Sequence, residues 1–162
     1  MTPAQLTTLK AAILAETTPA FVTFRQQGAT GAMSEWINGT LSPNVFAWKT
    51  NATAIDLDEG ADYSAFDSVV AGKRAAWDMF LRYAPRDMSK ARNRKVVTDV
   101  WGNATAASVA ESVLTAATRK ITRGEGYLGG IATGTTGTVT ARNLTWEGSV
   151  SNDDIVQAIN LP

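Results

Sequence analysis

"YSAFDSVVAGKRAAWDMFLRYA", residues 63 to 84, carries the clearest periodicity in the chain. Phe66, Val69, Val70, Trp77, Phe80, Leu81 and Ala84 recur at spacings of three and four, as one apolar face of a helix requires. Pro85 lacks the N–H that a continuing helix would use, so the spacing predicts a central helix that ends there. The fold class follows: mainly α, a small helical bundle with a C-terminal extended arm or β-hairpin.

Upstream, "TPAQ" opens the chain as a capping box, with Thr2 as cap, Pro3 at the first helical position and Gln5 reaching back. Leu6, Leu9 and Ile13 follow at helical spacing. Thr18 and Pro19 start a second helix carrying Phe21 and Phe24 that stops at Gly28, and a third short piece holds Met33, Trp36 and Ile37 before Asn38-Gly39. Residues 41–62 contain Pro43 and several turn formers, which predicts a looped or extended insertion around Val45, Phe46 and Trp48. Downstream, a helix from Met88 to Trp101 is expected to bury Val97, Val100 and Trp101 and to end at Gly102. Asn103 then caps a long helix reaching about Arg123, striped with Val109, Val113, Ala116, Ala117 and Ile121.

After Gly124 the helical period is lost. "GGIATGTTGTVTARNLTWEGSV", residues 129 to 150, reads as a tether hinged at Gly129, Gly130, Gly134 and Gly137, followed by alternating apolar residues. Val139 and Ala141 are out of phase with Leu144, Trp146 and Val150 across Arg142-Asn143, which predicts a turn or bulge there. Ser151 and Asp154 then cap a short helix with Ile155 and Ile159. The organisation expected is a helical core over 1–124 and a tether, β arm and terminal helix over 125–162. One reading makes the segment an arm that grips a neighbouring subunit through Val139, Arg142, Leu144, Trp146 and Val150. The other makes it a hairpin packed on the domain's own helices. An isolated pair of strands is marginal in water, so under either reading it must find a surface.

Composition narrows the function. The 162 residues are 44% apolar and 19% charged, a globular balance. Fifteen basic and fifteen acidic side chains cancel, leaving no whole-molecule field for nucleic acid or membranes. Cysteine and histidine are absent, which removes disulfides, thiolate nucleophiles, imidazole bases and the usual zinc and iron ligands. No cofactor or metal site is expected. No run approaches the roughly 18 apolar residues of a membrane span, and production in the cytosol is expected. Sequons at Asn38, Asn51, Asn103 and Asn143 are read as chance in a Thr-rich chain.

Three stretches carry candidate chemistry. Residues 82–95 carry Arg82, Arg86, Lys90, Arg92, Arg94 and Lys95 against Asp87 alone, either a phosphate-contacting face or a solvated helix surface. Asp56, Asp58, Glu59 and Asp62 offer carboxylates for a hydrolase, but four acids in a loop are expected to be wet and ionised. "DLDEGAD" lacks the third oxygen ligand and the twelfth-position glutamate of a calcium loop, and "GYLGG" follows a helix where a phosphate cradle precedes one.

The patches "MTPAQLTTLKAAILAET", "SPNVFAWKT", "AGKRAAWDMF", "VWGNATAA" and "LTWEGSVSNDDIVQAIN" together span nearly the full chain. In them the chain resembles small structural proteins encoded in the head-assembly modules of tailed bacteriophages, in particular head–tail adaptors that form a ring beneath the portal. The resemblance implies a virion component without catalysis, assembled in the host cytoplasm. Its partners would be further copies in a dodecameric ring, the portal protein and the next tail component, with docking through the C-terminal arm. Arg86, Lys90, Arg92, Arg94 and Lys95 would then be candidates to face packaged DNA. A capsid decoration or tail protein is the neighbouring alternative, and a hydrolase using the loop near Asp58 is the alternative of a different class.

Overall fold

A computed structural model describes residues 1–102, 107–130 and 133–162. In chain order it contains α1 (Pro3–Ala15), α2 (Pro19–Gln26), α3 (Thr30–Asn38), β1 (Phe46–Trp48), α4 (Ala54–Asp58), a 3-10 turn (Tyr63–Ser68), α5 (Ala71–Arg82), α6 (Ala91–Trp101), α7 (Ala107–Ala116), β2 (Thr118–Lys120), α8 (Arg123–Leu128), β3 (Thr133–Thr136), β4 (Val139–Arg142) and α9 (Asn152–Ile159). The fold is mainly α with a small mixed sheet of order β2-β1-β4-β3. The chain divides into two compact units threaded through each other in sequence, one of residues 1–45, 120–131 and 144–162, the other of 46–119 and 132–143. This differs from the division at 124 expected from the loss of helical period, because residues 144–162 group with the first unit.

In the first unit the expected capping box is present, with the Thr2 hydroxyl accepting from Gln5 N–H and Gln5 Oε1 accepting from Thr2 N–H at 2.8 Å. Leu6, Leu9 and Ile13 of α1, Phe21 of α2, Met33 and Ile37 of α3 and Ile155 and Ala158 of α9 form one apolar core, joined by Val150. Helix α8 was absent from the sequence reading, though its signal was there: Thr122 and Glu125 make a full capping box. Arg123 fixes it, donating to Trp36 O at 3.0 Å with its guanidinium 4.1 Å from the Trp36 ring centroid.

In the second unit Trp48, Trp77 and Trp101 centre a separate core with Val97, Val100, Val113, Leu114 and Ala141. Trp77 and Trp101 meet edge to face at 5.5 Å. The helix expected over 63–84 is broken. Asp62 caps a 3-10 turn through Ser64, Val69 and Val70 are extended, and α5 starts at Ala71. Two adjacent β-branched residues favour that extension, and Arg74 Nε donates to the freed Val69 carbonyl at 2.6 Å. Val69, Trp77 and Phe80 remain buried, as the periodicity requires, while Val70 turns to solvent. Helix α6 begins later than expected, at Ala91, and α7 stops at Ala116, where Ala117 O accepts from Lys49 N–H and the chain turns into β2. The expected cap at Asn103 lies outside the described residues.

Gly60 sits where α4 approaches α7: an added Cβ would lie 2.5 Å from Val113 Cα and 2.6 Å from Ser112 O. Backbone atoms cannot yield as a side-chain tip can. Gly60→Ala is therefore expected to destabilise the second unit by about 1–3 kcal/mol, read as a lower urea midpoint; an unchanged midpoint would contradict this close approach.

Candidate functional site

The site is built on α9. Ser151 and Asp154 form the expected capping box, setting the helix so that Ile155 and Ala158 point into the first unit's core. Val156 and Ile159 lie on its wetter side, 39% and 40% exposed. Leu14, on the outer edge of α1, is 61% exposed. With Ile13 and Thr30 these side chains bound an apolar cup of about 260 Å³. Two cations stand in its lining. Arg25 donates to Ile13 O at 2.6 Å and Leu14 O at 2.9 Å, satisfying the last carbonyls of α1. Lys10 donates to Leu161 O at 2.6 Å. Lys10 also reaches Pro162 O at 3.5 Å, and neither cation pairs with an acidic side chain among the described residues. No acidic side chain lines the cup. Such an arrangement suits an apolar group flanked by negative charge.

The expected arm lies elsewhere and is built in. Val139 and Arg142 belong to β4, which pairs antiparallel with β3 and meets β1 in parallel at Ala47 and Arg142. Leu144 and Trp146 are half-buried in the first unit, and Val150 is 1% exposed in its core. Asn38 grips Val150 from both sides, its Oδ1 accepting from Val150 N at 2.8 Å and its Nδ2 donating to Val150 O at 2.8 Å. Of the two readings, packing on the protein's own elements is the one observed. The phase break at Arg142-Asn143 is where the chain leaves the second unit's sheet and enters the first unit.

The four glycines expected as hinges fall at a helix end, in the hairpin or against their neighbours. Gly129 caps α8, with its N–H on Glu125 O; Gly130 has φ +68°; Gly134 packs against Trp48 and Arg94; Gly137, at φ +61°, opens the two-residue turn of the β3–β4 hairpin.

The basic stretch does not form one wet face. Arg94 is only 4% exposed. Its Nη1 donates to Met88 O at 2.8 Å and Ser89 O at 2.7 Å, its Nε to Thr136 Oγ1 at 2.7 Å, and its guanidinium lies 4.7 Å from the Trp48 ring centroid. The reason is helical phase, since position 94 shares the buried side of α6 with Val97 and Trp101. Arg86 donates to Phe80 O and covers the Phe80 ring. Lys90 and Lys95 reach Asp87 and Asp99 at 3.7 and 2.6 Å, and Arg92 is exposed.

Among the acids, Asp56 is held down at about 2 by Lys49 Nζ at 2.7 Å and by the Thr53 N–H and hydroxyl it caps. Ser64, through its hydroxyl and N–H, lowers Asp62. Asp58 accepts from the Tyr63 hydroxyl, and Glu59 is exposed. The Asp56 shift has a pH consequence. Its folded pKa lies below the unfolded value of 3.8, so its contribution is complete above that value and is lost as pH falls toward 2. After allowance for screening at this partly exposed site, Asp56→Asn is expected to remove about 1 kcal/mol at neutral pH and to flatten the stability profile between these limits. A variant whose acid profile matches the parent would refute the Lys49–Asp56 linkage.

Among the described residues no group of three His, Cys, Asp or Glu side chains could hold a metal ion, and no helix is long and apolar enough to cross a membrane. The sequence reading missed Leu14 and Val156. Both are apolar residues lying off their helix's buried stripe, which is the signal that could have marked them. Compared with protein-family models, curated proteins and solved structures, the chain matches none.

Proposed function

We propose that the chain is a non-catalytic structural protein of a tailed-phage particle, a head–tail adaptor whose copies form a ring beneath the portal. The observation that carries this reading is the apolar cup beside α9. A charge-balanced chain that keeps Leu14, Val156 and Ile159 in water beside Lys10 and Arg25, with no acidic side chain in the lining, has the ingredients of a contact surface. The sequence patches that resemble phage head-module proteins support it from another side, because they coincide with α1, β1, α5 and α9 and supply both cores.

The C-terminal segment keeps its role as a contact element, but through the outer side of α9. Freeing the segment around Val150 would expose a core residue and break both Asn38 bonds. A ring gains affinity by many weak copies acting together, so a modest face on each subunit is sufficient.

The test is an image of the intact particle with this chain tagged. A single ring of tag below the portal is the expected result. Copies spread over the capsid or along the tail would replace the adaptor reading with a decoration or tail protein, and a particle without the chain would overturn both. Loss of a measured turnover in Asp58→Ala/Glu59→Ala would instead favour a hydrolase.

A further inference from the structure

We infer that the cup beside α9 receives the Ile55 face of α4 from a second copy of this chain, so that successive subunits join head to tail. The inference deepens the adaptor reading by naming the contact between neighbours in the ring.

Ile55 is the most exposed large apolar side chain among the described residues, at 81%. It stands in the first turn of α4, whose Thr53–Asp56 capping box fixes its direction while Leu57 anchors the helix in the second unit's core. Positions 55, 58 and 59 share a helix face at spacings of three and four. Asp58 and Glu59, both exposed, therefore flank Ile55 on the side turned to water. Tyr63, half in solvent, donates to Asp58 and adds an aromatic edge to the same projection.

This projection is the chemical complement of the cup. Ile55 supplies an apolar plug for a recess bounded by Leu14, Val156 and Ile159. Asp58 and Glu59 supply negative charge opposite Arg25 and Lys10, neither of which pairs with an acidic side chain among the described residues. Neutrality of the whole chain fits the same division, with a local excess of each sign on different surfaces and none overall. Because plug and recess are different surfaces, each subunit that engages one neighbour still offers its other surface to the next, the geometry of a heterologous contact that builds rings or filaments. The plug is small, so the pairwise contact is weak and growth depends on concentration or on a template.

The experiment uses the full chain in three forms: the parent, Ile55→Lys and Leu14→Lys. Both substitutions fall at exposed positions, and equal unfolding midpoints confirm that each variant folds. Sedimentation velocity from about 1 μM to about 1 mM brackets weak association. The parent is expected to form species larger than a dimer as concentration rises, less so at high salt. Each variant alone is expected to associate at least about 10-fold more weakly, since a lysine now faces like charge or fills the recess. An equimolar mixture of the two variants is the decisive arm. One intact cup and one intact plug remain between them, so it is expected to give a 1:1 dimer and nothing larger. A parent that stays monomeric throughout, variants that assemble like the parent, or a mixture that stays monomeric would each overturn the inference. The particle image tests the adaptor reading separately. A ring below the portal with failure here means that the ring is built through other faces, whereas complementation here without such a ring leaves the head-to-tail contact standing and removes the adaptor.

Discussion

Trp101→Ala is expected to lower the stability of the second unit by about 3–5 kcal/mol, the largest effect of any single substitution considered. Trp101 is fully buried and closes a cluster in which its ring meets Trp77 at 5.5 Å and Phe66 at 5.3 Å. Removing the indole empties the space between α6 and the 3-10 turn, and rings locked on two sides cannot collapse into it. Denaturant titration followed by tryptophan emission reads the loss directly. Trp101→Phe provides the control. The indole N–H has no acceptor among the described residues, so phenylalanine sheds a buried donor that has gone unpaired and retains most of the ring contact. Its expected cost is under about 2 kcal/mol. Equal losses for the two variants would show that the cluster does not depend on ring packing.

Arg94→Met is the second large effect, about 3 kcal/mol. The guanidinium satisfies Met88 O, Ser89 O and Thr136 Oγ1 at once and covers the Trp48 ring. Methionine fills part of the volume but leaves the buried Met88 carbonyl and the part-buried Ser89 carbonyl without their donor, a buried one costing about 1–3 kcal/mol. Arg94→Lys keeps the charge but cannot reproduce a planar fork spanning three acceptors, so it is expected to recover less than half of the loss. Arg92→Met, one turn-face away and exposed, is expected to change stability by under about 0.5 kcal/mol. The pair also separates folding from the proposed DNA contact: charge reversal at Arg94 acts through the fold, so among the candidates Arg92, Lys90 and Lys95 are the ones to test for that proposed contact. If the Arg94 and Arg92 variants unfolded at the same midpoint, the inward placement of Arg94 would be wrong.

These two residues also mark how far the sequence could be read. Trp101 was legible as core because its neighbours at 97 and 100 repeat at helical spacing, and burial follows from that local pattern. Arg94 lies on the same face of the same helix, yet residue type argued for water. What reverses that expectation is a set of acceptors supplied by Ser89 before the helix and by Thr136, far along the chain. The cup has the same character. Each of its helices was legible, with caps at Thr2 and Ser151, but Leu14 and Val156 become one site only when α1 and α9 pack.

By itself the sequence determined the mainly helical class, the capped starts of α1 and α9 and the apolar stripes of α1, α3 and α6, because hydrogen bonds and side-chain neighbours three or four residues apart are set by the local chain. Tertiary structure alone decided that the apolar residues divide between two cores, that the strand after Gly137 pairs with β1, and that Arg94 turns inward. Those outcomes rest on pairs such as Asn38 with Val150 and Ala47 with Arg142, whose partners are separated by about a hundred residues, and no local periodicity records which distant surface a segment will meet.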